Sequence, residues 1–316
     1  MEIIRNFKRA EAITHGGLFH ADDVMATVFL KKRFGDFSLC RFDYLPKNVP
    51  EDILIYDIGG GKYDHHQKGG NGARRNDVPY ASAGLIWRDF GKRVIRKLCE
   101  ELTDEQVESV WRILDRELIA GIDAVDNGAY PKLDYPVKNA SISAMISSFN
   151  PTWDSEESFD DAFLKAVKFA EGIFDNFLKN AVSDVKAKDI VEQAIEESEA
   201  GIMAFETYVP WLKYIYNSRN PKADEILFVV FPSTRGGWMW QAVNEKGSRE
   251  FRKAVPAEWR GLGNEKDEAQ RRESREALWL MTGAHTATFC HQTGFCGGAE
   301  TIEDAIKMAR VAIDCE

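Results

Sequence analysis

The chain is poor in cysteine. Cys40, Cys99, Cys290, Cys296 and Cys315 are the only five in 316 residues, and none forms a Cys-x-x-Cys pair. An odd number without paired spacing argues against a disulfide framework and fits a reduced, cytoplasmic protein. His285, Cys290, His291 and Cys296 stand near one another but lack the ligand spacing of structural zinc, so the two cysteines read as small buried apolar residues. Long apolar runs are missing too. Nothing approaches the ~18 residues of a membrane span, and "MEIIRNFKRAEAITHGG" carries charge where a signal peptide needs an apolar stretch, so no membrane partner is expected. Excess basic charge is also lacking: 41 Lys and Arg stand against 51 Asp and Glu, a net −10. That argues against a general basic coat for gripping duplex DNA. No Gly-x-Ser-x-Gly elbow and no Walker loop occurs, so serine-nucleophile and P-loop chemistry have no support.

What is present is an ordinary globular composition, 44% hydrophobic and 29% charged, in a chain long enough for one large or two smaller domains. "AIT" before His15, "SLCRF" and "DILIY" read as strands. "DDVMATVFLKKRF" and "SAGLIWRDFGKRVIRKLCEEL" read as helices, and "TDEQ" has capping-box spacing ahead of Val107, Val110, Trp111, Leu114 and Leu118. Alternation of this kind predicts an α/β fold, a mainly parallel sheet flanked by helices, with ligands at the carboxyl ends of the strands. Phe159, Phe163, Val167, Ala170, Phe174, Phe177, Ala181 and Val185 mark a core-facing seam on a long helical segment, 154–200. Beyond it, "ILFVVFP" and "GGWMWQAV" read as strands and "TIEDAIKMARVAI" as a last helix. Pro210, Asn220 and Pro221 break the pattern, which places a first domain over 1–215 and a smaller α/β domain over 216–316.

Chemistry concentrates in the first of these. "THGGLFHADD" offers His15, His20, Asp22 and Asp23. Asp57 ends a strand, "DHH" supplies Asp64, His65 and His66, and "IDAVDNG" supplies Asp123 and Asp126. Four of the six histidines are used. Imidazoles and carboxylates suit manganese, iron, cobalt, zinc and magnesium. Two ions ~3.5–4 Å apart, sharing a carboxylate, neutralise phosphoryl oxygens and lower the pKa of a water toward ~7.

The order of these motifs resembles the DHH phosphoesterase superfamily, which includes RecJ-type exonucleases and manganese-dependent pyrophosphatases. It is most similar to the Myg-type family within it, through "THGGLFHADD", "YDHHQKGG", "SAGLIW", "IDAVDNG", "VPW", "GGWMWQAV", "PAEWRGL" and "HQTGFCGG". The resemblance implies a DHH-like fold and a 3′-to-5′ exonuclease acting on RNA or short oligonucleotides. It implies two divalent ions, manganese first, with magnesium, cobalt or zinc as alternatives. By position, His15, His20 and Asp57 hold one ion and Asp22, Asp57, His65 and Asp126 the other. His66 faces the substrate phosphate and Asp64 orients the histidine loop. His20 stands where the pyrophosphatases and RecJ-type enzymes usually have an aspartate, which leaves the metal open.

The resemblance also implies substrate binding by the glycine-rich box "CHQTGFCGGAET", through His291 and the amides of Gly297 and Gly298 ahead of a helix N-terminus. Ala299 replaces a histidine usual at that place. Arg74, Arg75, Arg235 and Arg260 are candidate forks for a phosphate, and Trp238 or Trp240 could stack a base, though core packing suits them better. A small-molecule phosphohydrolase, acting on pyrophosphate or a dinucleotide, and a metal-binding module without turnover are the competing readings. The sequence admits a homodimer without requiring one.

Overall fold

Ala12, Ile13 and Thr14 are all buried, with no alternation between faces. That is the signature of a central parallel strand covered on both sides. The computed structural model describes residues 1–129 and 140–315, in two compact units, Met1–Val185 and Lys186–Glu316. In the first, β1 (Glu2–Ile3), β2 (Ala12–His15), β3 (Ser38–Phe42) and β4 (Leu54–Ile55) form a sheet in the order β1-β3-β2-β4. Every pair in it is parallel. The chain is thus a mixed α/β protein with a parallel sheet and flanking helices.

Helix α1 (Ala21–Phe34) carries the crossover from β2 to β3. Its first ten residues, Ala21 to Leu30, are buried without a break, so it is a core helix and not an amphipathic surface one. Helix α2 (Ser82–Leu98) packs on it. Helix α3 (Asp104–Leu114) starts at the capping box read from "TDEQ": Gln106 N donates to Thr103 Oγ1 at 3.2 Å, and Thr103 N donates back to Gln106 Oε1 at 2.9 Å. It continues through a π-turn, Asp115–Ile119, into α4 (Ala120–Asp126). Helices α5 (Ile142–Ser147) and α6 (Phe159–Glu196) complete the set. Phe29, Trp87 and Phe174 meet at ring-centroid distances of 4.9, 5.4 and 5.9 Å, so the seam on α6 joins α1 and α2 in one core.

The second unit holds β5 (Ile202–Ala204), α7 (Leu212–Asn217), α8 (Lys222–Glu225), β6 (Phe228–Pro232), β7 (Trp238–Ala242), α9 (Glu268–Thr282), β8 (Ala287–Cys290), β9 (Cys296–Ala299) and α10 (Ile302–Asp314). Its sheet runs β5-β6-β7-β9-β8. The β5–β6 pair is parallel and the others antiparallel. The sequence pattern drew its boundary at 215/216, where prolines interrupt; the chain divides into its compact units between Val185 and Lys186, inside α6. No helix among the described residues is long and apolar enough to cross a membrane.

Candidate metal centre

Strand β2 ends at His15 and β4 stops two residues before Asp57, so both reach the carboxyl edge of the parallel sheet. The neutral His15 ring places its proton on Nδ1, which donates to Gly16 O at 3.0 Å. That leaves the Nε2 lone pair facing Asp23 Oδ2 and Asp57 Oδ2, each 3.3 Å away. A backbone carbonyl on the far nitrogen is how metal-binding histidines are commonly oriented. Without an ion, burial lowers the His15 pKa, but Asp57 and Asp23 outweigh it and raise the group to about 9. Asp23 Oδ2 is buried with no aligned hydrogen bond of its own. Burial, opposed by His15, pushes the Asp23 carboxyl up to about 6.

Asp57 is a non-glycine residue at φ +56°, a left-handed backbone that aspartate tolerates better than most residues. Its Oδ1 accepts from Ser82 Oγ at 3.0 Å and lies 3.5 Å from both His65 Nδ1 and His66 Nδ1. Burial raises its pKa, but His15, His65 and His66 together hold the carboxyl below the usual range. Its two oxygens therefore face two different groups of ligands.

The second group is Asp22, His65 and Asp126. His65 Nε2 lies 2.9 Å from Asp126 Oδ2, and its Nδ1 lies 3.8 Å from Asp22 Oδ2. Asp22 is held by the first turn of α2: Ser82 N donates to Oδ2 at 2.9 Å and Ala83 N to Oδ1 at 2.6 Å. The adjoining Gly84 N donates to Asp123 Oδ1 at 3.0 Å. Ala81, the N-cap, has no polar side chain, so carboxylates distant in sequence satisfy these helix-end amides. Burial, then Asp57, Asp126 and Asp123, keeps the Asp22 carboxyl far above its ordinary pKa. Such crowding of buried carboxylates beside imidazoles fits divalent cations as a countercharge.

Asp64 braces the histidine loop. Its Oδ2 accepts from Gly60 N at 2.6 Å, and its Oδ1 accepts from His66 N at 3.0 Å and His66 Nδ1 at 2.8 Å. Burial acts to raise this carboxyl, but the donated hydrogen bonds leave it below the usual range. The His66 side chain is 62% exposed while that of His65 is 7% exposed, so the paired rings face different surroundings. Two supports are absent from the sequence reading. Asn150 Nδ2 donates to Phe19 O at 2.9 Å and its Oδ1 accepts from Phe19 N at 3.0 Å. Arg41 Nη2 donates to Gly17 O at 3.0 Å. Both pin the loop between His15 and His20.

Among the residues singled out from sequence, His15, Asp22, Asp57, His65 and Asp126 fall in these two groups, and Asp57, Asp64, His65 and His66 form a third that overlaps both. His20 lies outside all three, exposed, with its ring 6.0 Å from that of His15. Asp23, adjacent to Asp22 in the first turn of α1, faces His15 instead. The doubled aspartate at a helix start was the available signal. Arg74 is no free fork: it is buried and spent on Asp115 and Asp123. Arg75 is exposed.

His291, Arg235, Arg260, Gly297 and Gly298 all belong to the second unit. His291 Nδ1 lies 3.0 Å from Thr293 Oγ1, Arg260 Nη2 donates to Val255 O at 3.2 Å, and Arg235 sits exposed in the β6–β7 turn. Gly297 and Gly298 occupy β9, paired on both sides by β7 and β8, and not a loop. Trp240 is fully buried. No described group that could hold a metal includes a cysteine; burial pushes the Cys290 thiol up to about 12 and the Cys296 thiol up to about 11.

Fold and centre together define a class: an α/β protein with a histidine–aspartate centre at the carboxyl ends of a parallel sheet. A family model, MYG1_exonuc, described as an uncharacterised protein family (UPF0160), matches residues 11–313, and the chain belongs to that family. A MYG1 protein of Schizosaccharomyces pombe is 30% identical over 95% of this chain and 96% of its own length. Proteins named MYG1 exonuclease from Homo sapiens and Mus musculus are 28% and 27% identical, each over 95% of this chain and 85% and 84% of their own. No solved structure gives a significant match.

Proposed function

We propose that the chain is a divalent-metal-dependent phosphoesterase of the DHH type, a 3′-to-5′ exonuclease acting on RNA or short oligonucleotides. The observation that carries this reading is the position of Asp57, whose Oδ2 faces His15 beside Asp23 and whose Oδ1 faces His65, itself grouped with Asp22 and Asp126. The exonuclease names of the mouse and human relatives supply the reaction class. When bound, two divalent ions, manganese foremost, supply charge neutralisation at the phosphoryl group and a water acidic enough to attack at neutral pH.

The chain's own residues do the rest. Gly16 O keeps the His15 proton on Nδ1 and so presents Nε2 to the centre. Asp64 accepts from His66 Nδ1, which leaves the exposed Nε2 of His66 as the atom for a phosphate oxygen. No serine or cysteine nucleophile is required. The net charge of −10 favours a short or single strand over long duplex. His291, Arg235 and Arg260 are proposed further substrate contacts, and the five free cysteines suit a cytoplasmic location.

The test is turnover of a labelled short RNA, pyrophosphate and a dinucleotide, each with manganese and with magnesium. RNA should shorten from its 3′ end. Asp57→Asn should abolish turnover and keep the fold, because asparagine also tolerates the left-handed backbone. Full activity in that variant would sink the assignment. Cleavage of pyrophosphate alone would move the reading to a small-molecule phosphohydrolase.

A further inference from the structure

Arg74 is buried eight residues beyond His66, and no step above uses it. Its fork is committed. Nε and Nη2 donate to Asp115 Oδ2 and Oδ1 at 2.8 and 2.7 Å, and Nη1 lies 2.7 Å from Asp123 Oδ2. Those partners lead to the centre along two routes. Asp115 opens the π-turn of the helix whose last residue is Asp126, the neighbour of His65. Asp123 gives its other oxygen to Gly84 N, in the turn whose preceding two amides hold Asp22 and whose Ser82 hydroxyl holds Asp57. Arg74 itself belongs to the loop that joins the histidine pair to α2, closed by Arg74 N donating to Val78 O at 2.8 Å. One guanidinium therefore joins the segments that supply His65 and Asp126 directly and, through Asp123 and Gly84, the α2 turn that holds Asp22.

We propose that Arg74 is a positioning residue for the ion at Asp22, His65 and Asp126, acting through Asp115 and Asp123 and not through substrate; this rests on the two-ion reading above. The shape of the side chain matters as much as its charge. A planar fork meets two carboxylates on different turns at once, which a lysine ammonium cannot do. Gly84 reports the same linkage from the opposite side. Its backbone is ordinary helix, where alanine is normally favoured, yet a Cβ there would overlap Asp123 Oδ2 and approach Tyr80 Cδ1 to 2.9 Å. Gly84→Ala thus displaces Asp123 without removing any charge.

The experiment is a cobalt titration of the full chain, followed by calorimetry and visible absorption, on wild type, Arg74→Met and Gly84→Ala, with a thermal melt of each. Wild type should take two ions. Each variant should keep one ion at wild-type affinity and bind the other about 10–100-fold more weakly, the usual range for a lost outer partner. A purely structural role would instead weaken both ions together or lower only the melting temperature. Arg74→Met takes the guanidinium from the buried Asp123 and the part-buried Asp115; if it does not fold, Gly84→Ala decides alone. Wild-type affinity for both ions in a folded variant overturns the inference and leaves the two-ion reading intact. No cobalt bound by wild type overturns that reading and the inference with it.

Discussion

At the scale of single residues, the centre depends on which atoms of adjacent side chains point where. Asp22 and Asp23 are neighbours, but one is taken by α2 amides and the other by His15. His65 and His66 are neighbours, yet one is buried among carboxylates and the other leans on Asp64 into solvent. The residues of the candidate centre were legible because histidine is scarce and its placement beside aspartate is unusual. Assignment between Asp23 and His20 was not legible, since it turns on how the chain enters α1. A substitution pair separates them. Asp23→Asn should weaken one of two manganese ions by about 100-fold or more, whereas His20→Ala should stay within about tenfold of wild type. Calorimetric titration reads both, and the reverse order would return the ligand role to His20.

At the scale of elements, helices with a one-sided apolar stripe were readable, and so were several short strands, such as Ser38–Phe42 and Phe228–Pro232. The Thr103 cap and the seam along α6 follow from local sequence. Strand β9 does not, because "CGGA" has neither β-branched residues nor alternation. It is a strand because β7 and β8 pair with it and their side chains fill the space above its glycines. A Cβ on Gly297 would overlap Trp240 Cζ2 and come 2.6 Å from Phe289 O. Glycine there serves packing, a role that the sequence alone could not separate from phosphate binding. Gly297→Ala should therefore cost about 1–3 kcal/mol through overpacking. Gly172→Ala on α6, where a Cβ meets nothing within 4 Å, should gain about 0.5–1 kcal/mol from helix propensity. Urea unfolding of the two variants checks the sign of each, and equal effects would refute the packing account.

At the scale of the whole molecule, every residue of the two donor groups lies in Met1–Val185. Ion binding should therefore stabilise that unit selectively, since a ligand protects only the state it binds. Hydrogen exchange with and without manganese should show slower exchange in 15–23, 57–66 and 82–84, with 228–299 unchanged. Equal protection in both units would count against a centre built wholly within the first. The acidic net charge sharpens the same contrast: under the proposed function, cations held at the centre would create the attraction for phosphate that a net −10 chain lacks.

By itself the sequence determined the inventory and the class. It specified a set of histidines and aspartates of metal-binding chemistry, that His15 ends a strand and Asp57 follows one, that the first unit alternates strands with helices, and that the last helix begins after the glycine box. These are properties of spacing and composition, which local chemistry writes directly into the chain. Only the tertiary structure decided the pairings. Asp22 meets amides 60 residues away, Asp57 turns its two oxygens to different partners, and Arg74 is consumed by Asp115 and Asp123. Each is a long-range contact, the first made where α2 docks on α1, and no local preference of the chain encodes which distant carboxylate will cap a helix whose N-cap is alanine.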